Sequence, residues 1–179
     1  MLSRENTGLI VVDIQGKLAR LVHNSDSFIA CCQKLIQGAK ILGLPIVWLE
    51  QNPEGLGATV EELHSVLAEE EPVIKFTFDA CKEPCFLQAI QKTNRKTWLV
   101  CGIEAHICVY QTVFHLKNLN YDVHLVCDCI SSRKQENIEL AVNKLVHHGV
   151  SITGLEMCLY ELVQDCRFPE FKEILNLIK

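Results

Sequence analysis

Apolar positions along the chain follow two alternating rhythms. Short continuous runs, TGLIVVD at 7–13, LPIVWLE at 44–50, TWLVC at 97–101 and DVHLVC at 122–127, have the length and β-branched content of strands buried on both faces. Between them, apolar residues return at spacings of three and four. Residues 26–42 carry Phe28, Ile29, Cys32, Leu35, Ile36, Ala39 and Leu42 on one helical face, with Ser25 or Asp26 as the cap and Gly43 as the stop. The same spacing predicts helices at 84–92, 109–119 and 135–147, one or two helical turns at 61–67, and two closing helices at 155–162 and 169–178. Residues 150–153 read as a last strand and 128–132 as the loop that follows the strand at 122–127. Strand and helix alternate throughout. The fold class expected is therefore α/β: a single-domain three-layer αβα sandwich over residues 1–179, with a mainly parallel, Rossmann-like sheet of about six strands.

Composition narrows the partners. A chain of 179 residues is long enough to bury roughly 70% of its unfolded surface as one domain. A net charge of −5 argues against a phosphate-binding surface, so no nucleic acid partner is expected. Charges or glycines interrupt every apolar run well before the roughly 20 residues of a membrane helix, and residues 1–13 lack a secretory h-region, so no membrane association is expected. The ten cysteines sit mostly inside apolar patterns and form no paired Cys-x-x-Cys set, which reads as free thiols in a reducing, cytoplasmic setting. None of the seven histidines belongs to a His-Glu-x-x-His or Asp-x-His pattern, and no metal is expected. Gly55-Leu56-Gly57 is not a dinucleotide fingerprint, because no third glycine opens a helix directly after a strand, and no cofactor is expected.

Three residues carry candidate chemistry. Asp13 ends the first strand, where an open parallel sheet places ligands beyond its carboxyl edge, although a helix cap or a structural ion pair would also explain it. Lys75 stands alone between Ile74 and Phe76; it either snorkels to water or pairs with a carboxylate beside a thiol. Cys108 falls in the first turn of a helix entered sharply through Gly102, a placement that lowers a thiol pKa and supplies free N–H groups, but small buried cysteines are also ordinary core residues.

Taken in order, Asp13 in VVDIQ, Lys75 in IKFTF and Cys108 in CGIEAHICV resemble the isochorismatase-like cysteine hydrolases, and the resemblance runs over nearly the whole chain. Together with EQNPEGLGATVEEL and CDCISSRKQEN, it is nearest to the small isochorismatase-domain branch. The resemblance implies a catalytic triad of Asp13, Lys75 and Cys108, a cis peptide between Ile103 and Glu104, and an oxyanion hole formed by the N–H groups of Glu104 and Cys108. It also implies a homo-oligomer, a dimer or larger. Gln15, Gln51, Phe76 and Ala105 are expected to line the pocket for a small-molecule substrate. Two departures matter. Ala105 and His106 stand where the family motif commonly has Thr and Asp, and Glu50, Gln51 and Asn52 stand where nicotinamidases carry Asp-x-His metal ligands. The activity implied is a metal-independent cysteine hydrolase cleaving a small amide or related carbonyl compound. The alternative is a scaffold protein that keeps the fold without meaningful turnover.

Overall fold

The computed structural model describes residues 1–69 and 71–179. Six strands, β1 (Thr7–Val12), β2 (Ile46–Gln51), β3 (Val73–Lys75), β4 (Thr97–Gly102), β5 (Asp122–Ile130) and β6 (Ser151–Thr153), form one sheet in the order β3-β2-β1-β4-β5-β6, and every pairing is parallel. The helices are α1 (Leu18–Leu21), α2 (Ser25–Ile41), α3 (Pro53–Leu56), α4 (Glu61–Leu67), α5 (Pro84–Lys92), α6 (Tyr110–Asn118), α7 (Gln135–His147), α8 (Leu155–Val163) and α9 (Phe171–Ile178).

The period-two geometry of the central strands builds the three layers. Leu9 and Val11 of β1, with Leu99 and Cys101 of β4, face a core completed by α2, α4, α8 and α9. Ile10 and Val12, with Trp98 and Val100, face the opposite core, closed by Phe86 and Ile90 of α5, Val113 and Leu116 of α6, and Ala141 and Leu145 of α7. Both cores are tightly sealed, which is why β1 and β4 read as continuous apolar runs rather than alternating ones.

Parallel register then gathers the carboxyl ends of the strands. Val12 pairs with Leu49 and Gly102, and Gln51 with Lys75, so β1, β2, β3 and β4 all end along one edge. The strand order reverses direction between β1 and β4, and an open α/β sheet binds ligands in the crevice at that switch point.

Several boundaries differ from the sequence expectation, among them the helix expected at 169–178, which spans Phe171–Ile178, and the strand expected at 44–50, which spans Ile46–Gln51. The strand expected to end at Cys127 continues to Ile130, after a register shift opposite the Val100 to Gly102 segment. Asp128 is accommodated there because its carboxylate accepts the Leu155 N–H at the start of α8. Helix α2 is entered from Asn24 in a left-handed conformation, with no side-chain cap; the Ser25 hydroxyl instead donates to the Ala19 carbonyl. The expected helix at 109–119 begins with a single π-helical turn over Ala105–Val109, a feature that often marks functional sites. No helix among the described residues is long and apolar enough to cross a membrane.

Candidate active site

Asp13 lies one residue past β1, with its backbone at φ 52. That left-handed conformation is uncommon for a residue with a side chain and clusters at functional positions. Its Oδ2 is 2.6 Å from Lys75 Nζ at the end of β3, and the two side chains are 3% and 0% exposed. Lys75 therefore does not reach water along the sheet edge. Its ammonium also donates to Gln51 Oε1 at 3.0 Å and to the Thr77 carbonyl at 3.1 Å. The Cys108 thiol donates to the same Gln51 Oε1 at 3.1 Å. One amide oxygen thus joins the cation to the thiol, and Asp13 closes the group.

Gln51 is itself held. Its N–H donates to Gln15 Oε1 at 2.7 Å, while Gln15 Nε2 donates to the carbonyls of Gln51 and Gly57. Gln15, expected to line the pocket, is fully buried as the brace between β2 and the loop at Gly57. Phe76 and Ala105, also expected as lining, are respectively 70% exposed on the outer surface and sealed in the core. β3 ends at Lys75, and in the irregular segment that follows Phe76 is exposed while Phe78 lines the cavity. Of the four expected lining residues, only Gln51 lines the cavity.

That cavity has a volume of about 270 Å³, and Asp13, Gln51, Asn52, Glu104 and Cys108 supply its polar groups. Leu18, Leu56, Phe78, Ile103 and Ile107 supply apolar walls, of which the sequence singled out only Ile103. Their signal was faint, because isolated apolar residues in loops look the same whether they face a ligand or a neighbouring segment.

The electrostatics of the group run against a resting thiolate. Burial, followed by the charge of Asp13, pushes the Cys108 thiol up to about 12, with Lys75 pulling the other way. The expected lowering by a helix terminus is outweighed by desolvation. Burial also raises the Asp13 carboxyl above its ordinary range, with Lys75 opposing that rise. Asp13 Oδ1 is buried without a hydrogen-bond partner among the described residues, an acceptor open to a proton.

The turn after β4 carries the remaining groups. The peptide between Ile103 and Glu104 is cis. The Glu104 carboxylate, 5% exposed, accepts the Arg133 backbone N–H at 3.0 Å and its Nε at 3.1 Å. His106, one of the two departures from the family motif, contacts Ser132 Oγ at 3.0 Å through Nδ1 and Asn137 Nδ2 at 3.3 Å through Nε2. It ties the turn to the segment after β5 and does not line the cavity. Glu50, where an Asp-x-His ligand set would begin, accepts both the N–H and the hydroxyl of Thr59.

One group of metal-capable side chains among the described residues went unnoticed in the sequence. Ligand atoms of Asp79, Cys81 and His115 all lie within 4.8 Å of one another. Asp79 already holds His115 Nδ1 at 2.8 Å and the Cys81 N–H at 3.0 Å, so the three cross-tie the turn after β3 to α6, and none of them lines the cavity.

The family model of the isochorismatase domain matches residues 7–157. The chain is 36% identical to a secreted isochorismatase effector, Isc1, of Phytophthora sojae over 177 residues, covering 96% of this chain and 83% of the relative. It is 36% identical to isochorismatase domain-containing protein 1 of Danio rerio, covering 93% of this chain but 59% of that longer protein. Among solved structures, the MAR1 ribonuclease of Caenorhabditis elegans superposes with a TM-score of 0.92 at 34% identity, over 99% of this chain and 91% of that one. YcaC of Pseudomonas aeruginosa, with hexane-2,5-diol and covalent acrylamide, gives 0.92 at 22% identity over 98% and 90% of the two chains. YcaC of Escherichia coli, an octameric hydrolase of unknown specificity, gives 0.89 at 20% over 98% and 94%; these two share the fold. A parallel sheet with its polar cavity at the β1/β4 switch point, matched from Thr7 to Met157, makes this chain a member of the isochorismatase family, whose fold supports a hydrolase.

Proposed function

We propose that the protein is a cysteine hydrolase that cleaves a small amide or related carbonyl compound through a thioester on Cys108. The observation that carries this reading is the shared Gln51 Oε1, which receives both Lys75 Nζ and the Cys108 thiol while Asp13 Oδ2 lies 2.6 Å from the same ammonium. As Cys108 Sγ attacks the carbonyl carbon, Asp13 takes the thiol proton, and the charge of Lys75 steadies first the carboxylate and then the developing sulfur anion. The carbonyl oxygen gains its charge facing the N–H groups of Glu104 and Cys108. The proton passes to the leaving nitrogen, ammonia or an amine departs, and water attacks the thioester to release the acid and restore the thiol. Because the thiol is neutral at rest, proton removal belongs to the reaction itself and is coupled to substrate binding. No Asp-x-His pair follows β2, and the residues there, Glu50 and Gln51, are occupied in holding Thr59 and the triad, so the reading is metal-independent. The same reading keeps the protein in a reducing cytoplasm and makes it a homo-oligomer, in line with the octamer described for the Escherichia coli relative.

The ribonuclease name of the Caenorhabditis relative supports a second reading. Here, among the described residues, Asp13 faces Lys75 and Glu104 faces Arg133, so the carboxylates of the site are paired with cations rather than with each other, and the net charge of −5 disfavours a phosphate backbone. Incubation of wild type and Cys108→Ala with a panel of small amides, followed by ammonia release and intact mass of the Cys108 adduct, tests the first reading. Turnover by wild type with loss of at least about a thousandfold in Cys108→Ala is expected. Equal turnover by the two proteins overturns it, and RNA cleavage that survives Cys108→Ala would favour the second.

A further inference from the structure

A substrate must satisfy the charges of the cavity as well as its shape, and here Lys75, the cation beside the thiol, is already engaged. An ammonium has three N–H donors. Those of Lys75 face Asp13 Oδ2, Gln51 Oε1 and the Thr77 carbonyl, so none is left for a ligand. Arg133 lies outside the cavity wall, with its Nε and backbone N–H committed to the buried Glu104 carboxylate. What remains on the wall is the partnerless Asp13 Oδ1, the Gln51 NH2 group and the Asn52 amide. The other wall is formed by Leu18, Leu56, Phe78 and Ile107, and Leu56 and Phe78 reach the rim at 37% and 54% exposure. A carboxylate entering this space would meet two acidic side chains and apolar surface, and among the described residues no lysine or arginine lines it.

Resting on the amide hydrolase reading above, we propose that the cavity selects small, uncharged amides with an apolar acyl group and rejects those that carry a carboxylate. A volume of about 270 Å³ equals roughly nine water volumes, which suits an amide of up to about eight heavy atoms and falls short of the space a drug-sized ligand needs. In the bound amide, the acyl chain lies against Leu18, Leu56, Phe78 and Ile107, and its nitrogen faces Asp13 Oδ1 and the Gln51 and Asn52 amides.

Two measurements separate this inference from the reading beneath it. The first compares butyramide with succinamate by ammonia release; wild type should favour the neutral amide by at least roughly a hundredfold in kcat/KM. Leu56→Arg and Phe78→Arg, both at exposed rim positions, should each move that ratio toward succinamate by about tenfold or more. The second needs no hydrolysis: the ratio of Cys108 alkylation rates by iodoacetamide and iodoacetate, followed by mass spectrometry, is set against the ratio for free glutathione. The protein's ratio should exceed glutathione's by at least about tenfold, and the rim arginines should bring it down. If no amide is turned over but the alkylation ratio holds, the cavity's selectivity stands and the hydrolase reading fails. An alkylation ratio equal to that of glutathione, or succinamate turned over as well as butyramide, overturns the selectivity.

Discussion

Lys75 is a lysine with no exposed surface, and it is tolerated because each of its donors meets an acceptor. Its pairing with Asp13 has a mutational signature. Lys75→Met should destabilise the protein by about 3–5 kcal/mol, because Asp13 would remain buried without its counter-charge, and Asp13→Leu should do the same in reverse. The double variant Asp13→Leu/Lys75→Met removes both charges and should recover most of that loss while remaining inactive. Urea unfolding of the four proteins checks this, and strictly additive losses would show that the two charges do not act as a pair. The identity of these residues was legible in the sequence, since an Asp closing a strand and a Lys inside an apolar run are each anomalous there. Their burial was not legible, because it depends on β1, β2 and β3 ending at the same level, a matter of register. Gln51 was named as pocket lining; its role as the common acceptor of Lys75 and Cys108 arises only when those two side chains converge from the end of β3 and from the helical turn after β4.

At the level of elements, β1 and β4 leave no room for a side chain where the chain turns into the site. Gly102 sits at φ 127, and a Cβ placed there would lie 2.1 Å from the Val12 carbonyl oxygen. Only glycine lets β4 run beside β1 and then release Ile103 and Glu104 toward the cavity. Gly102→Ala should therefore cost about 3 kcal/mol or more and abolish activity together with stability, read from urea unfolding and from turnover. Unchanged stability would show that the strands can separate at this point without loss. The helices at 84–92 and 135–147 and the turns at 61–67 follow their sequence periodicity to the residue, because each carries its own apolar face and its own ends. The tail of β5 did not. Asp128 resembles a loop residue until its partner is known, the N–H of Leu155, 27 positions on, and Ser131, just past β5, is tied to the carbonyl of His23, 108 positions back. Likewise, nothing local distinguishes the π-helical turn at 105–109 from an ordinary first helical turn.

On the scale of the whole molecule, the ten free thiols connect composition to stability. Their apolar settings were readable in the sequence, and burial pushes most of them up: Cys129 and Cys108 to about 12, with Cys32, Cys81 and Cys158 raised as well. In the unfolded chain these thiols titrate at about 8.5. Since the folded pKa lies above the unfolded one, the protonated thiols hold the folded state fully below about pH 8.5. Above that pH the unfolded chain gives up protons that the folded chain retains, so stability falls as pH rises through the window from about 8.5 to about 12. The slope approaches about 1.4 kcal/mol per pH unit for each thiol that stays protonated in the folded state. Unfolding midpoints in urea, measured from pH 7 to pH 10.5, should fall progressively above pH 8.5. Cys158→Ala, which removes a thiol with no exposed surface, should lower the whole curve through the volume it vacates yet flatten its alkaline limb. The change in slope separates the two effects, because a cavity destabilises equally at every pH whereas a thiol does so only where the unfolded chain ionises it. An alkaline limb equally steep in wild type and Cys158→Ala would mean that other groups, the lysines and tyrosines, set the high-pH limit of this fold.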